Sequence, residues 1–334
     1  MELPLDKRIA LMARLGEYLD SPAPELDAII AAAARENPWF TPGFIRLALH
    51  NCCNELLRPE LLHSWARHYE VPDRLSAAET GIVMAGNIPL VGFHDFLCGF
   101  ISGHPLRIKL SSKDAVLLPH LLEQLYRWEP ATLQRVRIAP QLKDCAAYIA
   151  TGSDNSARYF DYYFSKYPHI IRRNRTSVAL LDGSETTEEL SLLADDICLY
   201  FGLGCRNVTQ LYVPEGYDFI PLLEALKKYV EFGEHHKYRN NYDYNLALQL
   251  LNNQPYLSTG FMLLTDDASP YSPISVLHYQ TYAPGDRPGE RLMADERIQC
   301  IAGHGHLPFG KAQQPGLTDY ADGIDTMTFF RGLR

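Results

Sequence analysis

Long apolar runs are missing from this chain of 334 residues. A helix that spans a bilayer needs about 20 consecutive apolar residues, and the one segment that approaches this, Gly81 to Gly103, is broken by Asn87, Pro89, His94 and Asp95. It reads as buried core, and no membrane partner is expected. The opening MELPLDKRIALMARLGEYL mixes acids and bases through an amphipathic period, so it reads as a helix and not as a signal peptide. A positive excess is missing too: 31 Lys plus Arg stand against 40 Asp plus Glu, a net of −9. A field that gathers nucleic acid is therefore not expected, and a polyanionic ligand must be met by a local basic patch. Cysteine is sparse, with seven residues at 52, 53, 98, 145, 198, 205 and 300. That odd count, without paired pairs, gives neither a disulfide framework nor a zinc set, and implies a reducing, cytoplasmic setting. Low-complexity linkers and short repeats are absent as well.

What remains is ordinary globular composition, 46% hydrophobic and 21% charged, at a length that suits about two domains. Residues 1 to about 75 carry helical spacing, with Thr41-Pro42 a helix start. From residue 80 the pattern changes. GIVMAG (81–86) reads as a buried strand, PLVGFHDFLCGFIS (89–102) as a helix and PLRIKLSS (105–112) as a second strand. VLLPHLLEQLYRW is a helix, RVRIAP a short strand, AAYIATG (146–152) another strand, and SARYFDYYFSKY the helix after it. TSVALLDG (176–183), the acidic helix TEELSLLADDICLYFG and VTQLYVP (208–214) continue the alternation. Such alternation argues for parallel sheets covered by helices, in two domains that meet near Asn174.

Cys205 lies in YFGLGCRNVTQLYVP, where Gly202 and Gly204 leave the backbone uncrowded before a strand. A thiolate there could be a nucleophile, although a free cysteine is more often a small core hydrophobe. Neither G-x-G-x-x-G nor a P-loop occurs, so a nucleotide site must use another pattern. His304 and His306 form an H-x-H in AGHGHLPFG, but no third ligand presents itself by spacing, and the segment is read as a loop near the active site without a metal.

Three blocks supply that other pattern. AGNIPLVGFHDFLCGFISGHPLRIKLSSKD resembles the aldehyde dehydrogenase block in which an Asn-x-Pro turn opens a helix and the next strand ends in lysine, with Asn87, Pro89 and Lys109 on those marks. ATGSDNSARYF resembles the family's Gly-Ser turn, at Gly152 and Ser153, and GLGCRNVTQLYV the block around its nucleophile, at Cys205. Within that superfamily, KYPHIIRRNRTSVALLDG, FGLGCRNV and QQPGLTDYADGIDTM are most similar to the LuxC-like acyl-CoA reductases, over residues 75 to 334. The fold implied is α/β and aldehyde dehydrogenase-like: residues 1–174 as a helical segment with a parallel cofactor-binding domain, and 175–334 as a shortened α/β catalytic domain with the tail.

The resemblance implies an oxidoreductase that reduces an acyl-CoA substrate to an aldehyde through an acyl-cysteine at Cys205, with the Asn87 side chain and the Cys205 N–H as oxyanion donors. Other readings of the same cysteine are an acyl transferase or thioesterase, or a non-catalytic subunit that keeps the fold. The family's general-base glutamate is replaced here by PHIIRRNRTSV, which has no carboxylate; His169 is the neutral candidate, and Arg172, Arg173 and Arg175 are candidates for phosphate. Lys109, Ser112, Lys113, Gly152 and Ser153 are the implied cofactor-binding residues. Ser112 and Lys113 stand where NAD-preferring relatives carry an acid, so NADPH (NADP) is the expected cofactor. Ser269 to Ile274 is the segment expected to take the place of the glutamate that holds the nicotinamide ribose. A homo-oligomer is compatible with this reading.

Overall fold

The computed structural model describes residues 3–152 and 154–333, which form two compact units. The first runs through Asn174 and is completed by the tail from Pro315; the second is Arg175–Gln314.

In the first unit, helices α1 (Leu5–Asp20), α2 (Pro24–Glu36), α3 (Pro42–Asn51) and α4 (Pro59–His68) precede the sheet. Thr41 caps α3 by accepting the Phe44 N–H at 3.2 Å, just before Pro42 at the first helical position. Strands β1 (Thr80–Val83), β2 (Leu106–Lys109), β3 (Val136–Ile138), β4 (Ala147–Thr151) and β5 (His169–Arg172) pair in the order β3-β2-β1-β4-β5, all parallel. The central strands β1 and β4 are buried on both faces, as their near-continuous apolar runs require. Helices α5 (Phe93–Ile101), α6 (Leu117–Trp128) and α7 (Asp154–Phe164) are the crossovers. On α6, Leu118, Leu121, Leu122 and Leu125 recur at helical spacing and are buried in a core shared with Met12, Leu15 and Ile30 of the leading helices. The first 75 residues thus cover this unit.

The second unit holds β6 (Thr176–Leu180), α8 (Thr187–Cys198), β7 (Val208–Pro214), α9 (Ile220–Leu226), α10 (His236–Leu251), β8 (Leu257–Ser258), β9 (Leu263–Asp266), β10 (Val276–Tyr282), α11 (Pro288–Met293) and β11 (Ile298–Gly303). Its sheet runs β11-β6-β7-β10-β9-β8, parallel except for the edge strand β8. Thr186 and Glu189 form a reciprocal capping box that starts α8.

The tail departs from the sequence expectation, which grouped it with the cysteine domain. Helix α12 (Thr326–Gly332) returns to the first unit because Tyr320, Met327 and Phe330 are part of that unit's core. Polar contacts reinforce the return: Trp65 Nε1 donates to the Tyr320 hydroxyl at 3.0 Å, and the Tyr69 hydroxyl donates to Asp325 at 2.8 Å. Among the described residues no helix is long and apolar enough to cross a membrane.

Candidate active site

The order β3-β2-β1-β4-β5 reverses direction between β1 and β4, and ligands of such sheets bind in the crevice beyond the carboxyl ends of the strands at that point. Asn87 follows β1, Lys109 ends β2, Ser112 and Lys113 follow it, and Gly152 follows β4. One edge of one sheet therefore gathers these residues. Ser153 lies outside the described residues.

Close backbone approach shapes the crevice. A Cβ on Gly152 would come within 2.9 Å of the Ser156 Cβ and 3.0 Å of Phe160, so glycine lets α7 start directly off β4. That leaves a strand-to-helix turn of the kind that receives a pyrophosphate at a helix amino terminus. A Cβ on Gly86 would come within 2.7 Å of Ser111, so the turn bearing Asn87 lies flat on the turn after β2. Those two turns are joined by a buried carboxylate. Asp114 Oδ2 accepts the Leu90 N–H at 2.8 Å, holding Leu90 at a left-handed φ of 56°. Burial raises the Asp114 carboxyl to about 6.

This turns the nearest acid inward, while Ser112 and Lys113 are exposed. Asn37 supports the same turn from the leading helices, donating to the Lys113 carbonyl at 3.0 Å. The turn thus offers a hydroxyl and an ammonium at its surface. These features fit a nicotinamide dinucleotide: a cradle a Cβ would fill, a helix start and an exposed lysine at a strand end.

The arginine triplet does not act together. Arg172 is buried in an ion pair with Asp95 of α5 and donates to the Thr326 hydroxyl of α12 at 2.9 Å. Arg173 pairs at the surface with Asp161, and Arg175 belongs to the second unit. Strand geometry is the reason: successive β5 side chains point to opposite faces, so Arg172 follows Ile170 inward. Arg172 is therefore unavailable to a phosphate. His169 pairs in register with Tyr148, at the amino end of β5 and away from the carboxyl edge, and its exposed ring bonds the Tyr167 carbonyl at 2.8 Å. The structure does not bring it to the crevice.

In the second unit, Cys205 precedes β7 and so sits at the amino edge of its sheet. The Ser177 hydroxyl donates to the Cys205 carbonyl at 3.1 Å and accepts the Cys300 N–H at 3.2 Å. The segment Ser269–Ile274 precedes β10 on the same edge, where Thr209 of β7 donates to the Pro270 carbonyl. Arg206 donates to the Ala312 carbonyl, and buried Asp196 accepts the N–H groups of Gly310 at 2.7 Å and Ala312 at 2.9 Å. Cys205 is partly accessible, whereas burial pushes Cys52 up to about 12 and Cys98 and Cys198 well above the usual thiol range.

The H-x-H loop lies elsewhere. It follows β11, so it occupies the carboxyl edge, opposite Cys205. His304 there bonds Asp182 at 2.9 Å and Glu189 at 3.0 Å, and the two carboxylates raise its pKa to about 9. Asp182, Glu185 and His304 have ligand atoms within 4.8 Å of one another, a grouping that spacing in the sequence did not reveal.

Solved structures sharing this architecture decide the fold. An aldehyde dehydrogenase 21 from Physcomitrella patens, in complex with the reaction product succinate, is similar with a TM-score of 0.64 at 13% identity, covering 88% of this chain and 71% of that one. The fold is that of the aldehyde dehydrogenases. A Mycobacterium tuberculosis aldehyde dehydrogenase complexed with NAD+ is similar with a TM-score of 0.62 at 14% identity, over 84% and 69%. An NAD-dependent aldehyde dehydrogenase from Sinorhizobium meliloti gives 0.62 at 13%, over 90% and 69%. No family model matches the sequence, and no curated protein matches it.

Proposed function

We propose that this chain is an NADPH-dependent acyl-CoA reductase that forms an acyl-cysteine at Cys205. The observation that carries the reading is the Cys205 turn, tied through its own carbonyl to buried Ser177 within an aldehyde dehydrogenase-type fold. The resemblance of FGLGCRNV and the neighbouring blocks to those of LuxC-like reductases supports acyl-CoA as the substrate.

The Cys205 thiolate attacks the thioester carbon, the carbon–sulfur bond to CoA breaks, and the CoA thiolate leaves and takes up a proton. Asn87 and the Cys205 N–H are the donors assigned to the tetrahedral oxyanion. Lys109, Ser112, Lys113, Gly152 and Ser153 are the residues that would hold the dinucleotide. When bound, the reduced nicotinamide supplies the hydride that takes the acyl group to the aldehyde level. Collapse of the resulting hemithioacetal then releases aldehyde and restores Cys205. The exposed Ser112 and Lys113, beside an acid turned inward, support acceptance of a 2′-phosphate. Between Asp161 and Asp182 the chain carries no carboxylate, so water is not activated from that stretch and the acyl group passes to hydride or to CoA.

The test is absorbance at the nicotinamide band with a panel of acyl-CoA chain lengths. Acyl-CoA should consume NADPH and release one CoA per cofactor oxidised. In reverse, aldehyde and oxidised cofactor should give a burst, then slow turnover that free CoA accelerates by about 10² or more. Fast release of carboxylic acid without CoA would overturn the reading.

A further inference from the structure

The segment that delivers Cys205 is conformationally costly. After α8 ends at Cys198, three consecutive residues adopt left-handed backbone: Tyr200 at φ 55°, Phe201 at 57° and Gly202 at 74°. Two of the three carry aromatic side chains, for which this region is unfavourable, so neighbouring contacts must over-determine it. Reversal of the chain also withdraws the last carbonyls of α8 from helical partners.

Phe201 packs against Phe232, His235 and Tyr238, and one fully buried side chain meets the need of the carbonyls. Asn207 Nδ2 donates to the carbonyls of Leu199 at 2.8 Å, Asp196 at 3.1 Å and Ile197 at 3.3 Å. Its Oδ1 accepts the Gly204 N–H at 2.8 Å, and its own backbone N–H donates to the Gly204 carbonyl at 3.1 Å. Asn207 thus holds both polar groups of the residue before the cysteine. Because a peptide unit is planar, fixing the Gly204 carbonyl fixes the direction of the Cys205 N–H on the other side of the same bond. Ser177 fixes the Cys205 carbonyl at the next unit.

We infer that Asn207 is a positioning residue for Cys205, setting the orientation of the Gly204–Cys205 peptide and with it the thiol and the N–H beside it. This rests on Cys205 being the nucleophile of the proposed reaction. Helix capping alone would leave Cys205 reactivity untouched when Asn207 is altered; positioning would not.

Asn207→Asp is nearly isosteric and keeps the acceptor for Gly204, but replaces the donor with an oxygen facing three carbonyls. The expected result in the folded variant is that kcat for acyl-CoA reduction and the rate of Cys205 alkylation by iodoacetamide, resolved by peptide mass, both fall roughly tenfold or more. KM for NADPH and alkylation of Cys53 should stay within twofold. Protonating the introduced carboxyl restores one donor, so the alkylation deficit should shrink as pH is lowered. A folded variant whose Cys205 alkylation rate and pH profile stay within twofold of the parent would overturn the inference. Should Asn207→Asp not fold, Asn207→Ser tests the same claim. Its shorter side chain cannot span from the Gly204 N–H to the carbonyls of Asp196, Ile197 and Leu199, and it adds no charge. Slower Cys205 alkylation supports the inference, and an unchanged rate overturns it. Alkylation needs no acyl-CoA: a parent protein that alkylates at Cys205 without reducing acyl-CoA defeats the proposed function, and the positioning role is then judged on alkylation alone.

Discussion

Arg172→Met should destabilise the first unit strongly and leave cofactor affinity alone. The guanidinium and the Asp95 carboxylate are paired at 5% and 7% side-chain exposure, and the same guanidinium reaches Thr326 of the returning tail. Removing it strands a carboxylate that is already imperfectly satisfied, since Asp95 Oδ1 has no hydrogen-bond partner among the described residues. Breaking one partner of a buried pair costs about 3–5 kcal/mol, which for a unit of this size corresponds to a fall in Tm of about 6–20 °C. Replacing both charges, Arg172→Met with Asp95→Leu, removes the stranded carboxylate and should recover most of the loss. All three tryptophans, Trp39, Trp65 and Trp128, lie in the first unit, so urea unfolding followed by fluorescence reports it selectively. A loss below about 1 kcal/mol, the range of an exposed pair, would refute the argument, as would a double variant no more stable than the single one. A large rise in KM for NADPH at temperatures where the single variant is folded would instead return Arg172 to a phosphate role.

Cys205→Ala should abolish acyl-enzyme formation, read by mass on adding acyl-CoA without cofactor, while Tm changes little; an acylated alanine variant would refute the nucleophile assignment. Ser112→Glu should shift the ratio of kcat/KM for NADPH over NADH at least tenfold towards NADH, about 1.4 kcal/mol, and equal use of both cofactors by the parent would refute the assignment of that turn. Asp114 has a folded pKa raised by burial from 3.8 to about 6. Between those values the folded state keeps a proton that the unfolded chain has lost, so stability falls as pH rises through that window. Asp114→Asn should flatten this fall in the fluorescence-monitored unit by up to about 3 kcal/mol, and an unchanged slope would refute it.

The parts of the fold legible in the sequence are those where local pattern and tertiary role agree. The runs GIVMAG, PLRIKLSS and AAYIATG are apolar because β1, β2 and β4 are interior strands, and their ends carry Asn87, Lys109 and Gly152 to one edge. Strand β5 gives little signal because HIIRR is short and basic, although Arg172 two places after Ile170 follows the period of a strand. The left-handed run at Tyr200 and Phe201 has no local signal, since aromatic residues do not favour it; the packing of Phe201 against Phe232, His235 and Tyr238, and the hold of Asn207 on the carbonyls before it, come from tertiary structure. Asp114 is likewise one acid among several in the sequence, and only the packing of two turns against each other directs its carboxylate to Leu90. Strands β8 and β10 carry weak signals, β8 because it has two residues and β10 because His278, Gln280 and Thr281 interrupt its apolar run.

The tail that closes the first unit's core carries a consequence for biogenesis. In chain order the cysteine-bearing unit is an insertion, so during translation it can leave the ribosome and fold while its host still lacks Tyr320, Met327 and Phe330. Until α12 arrives, Arg172 lacks its Thr326 contact and the indole of Trp65 lacks its hydroxyl acceptor. Nascent chains released short of the tail would present an open apolar cleft to chaperones and proteases, whereas the inserted unit would already be complete.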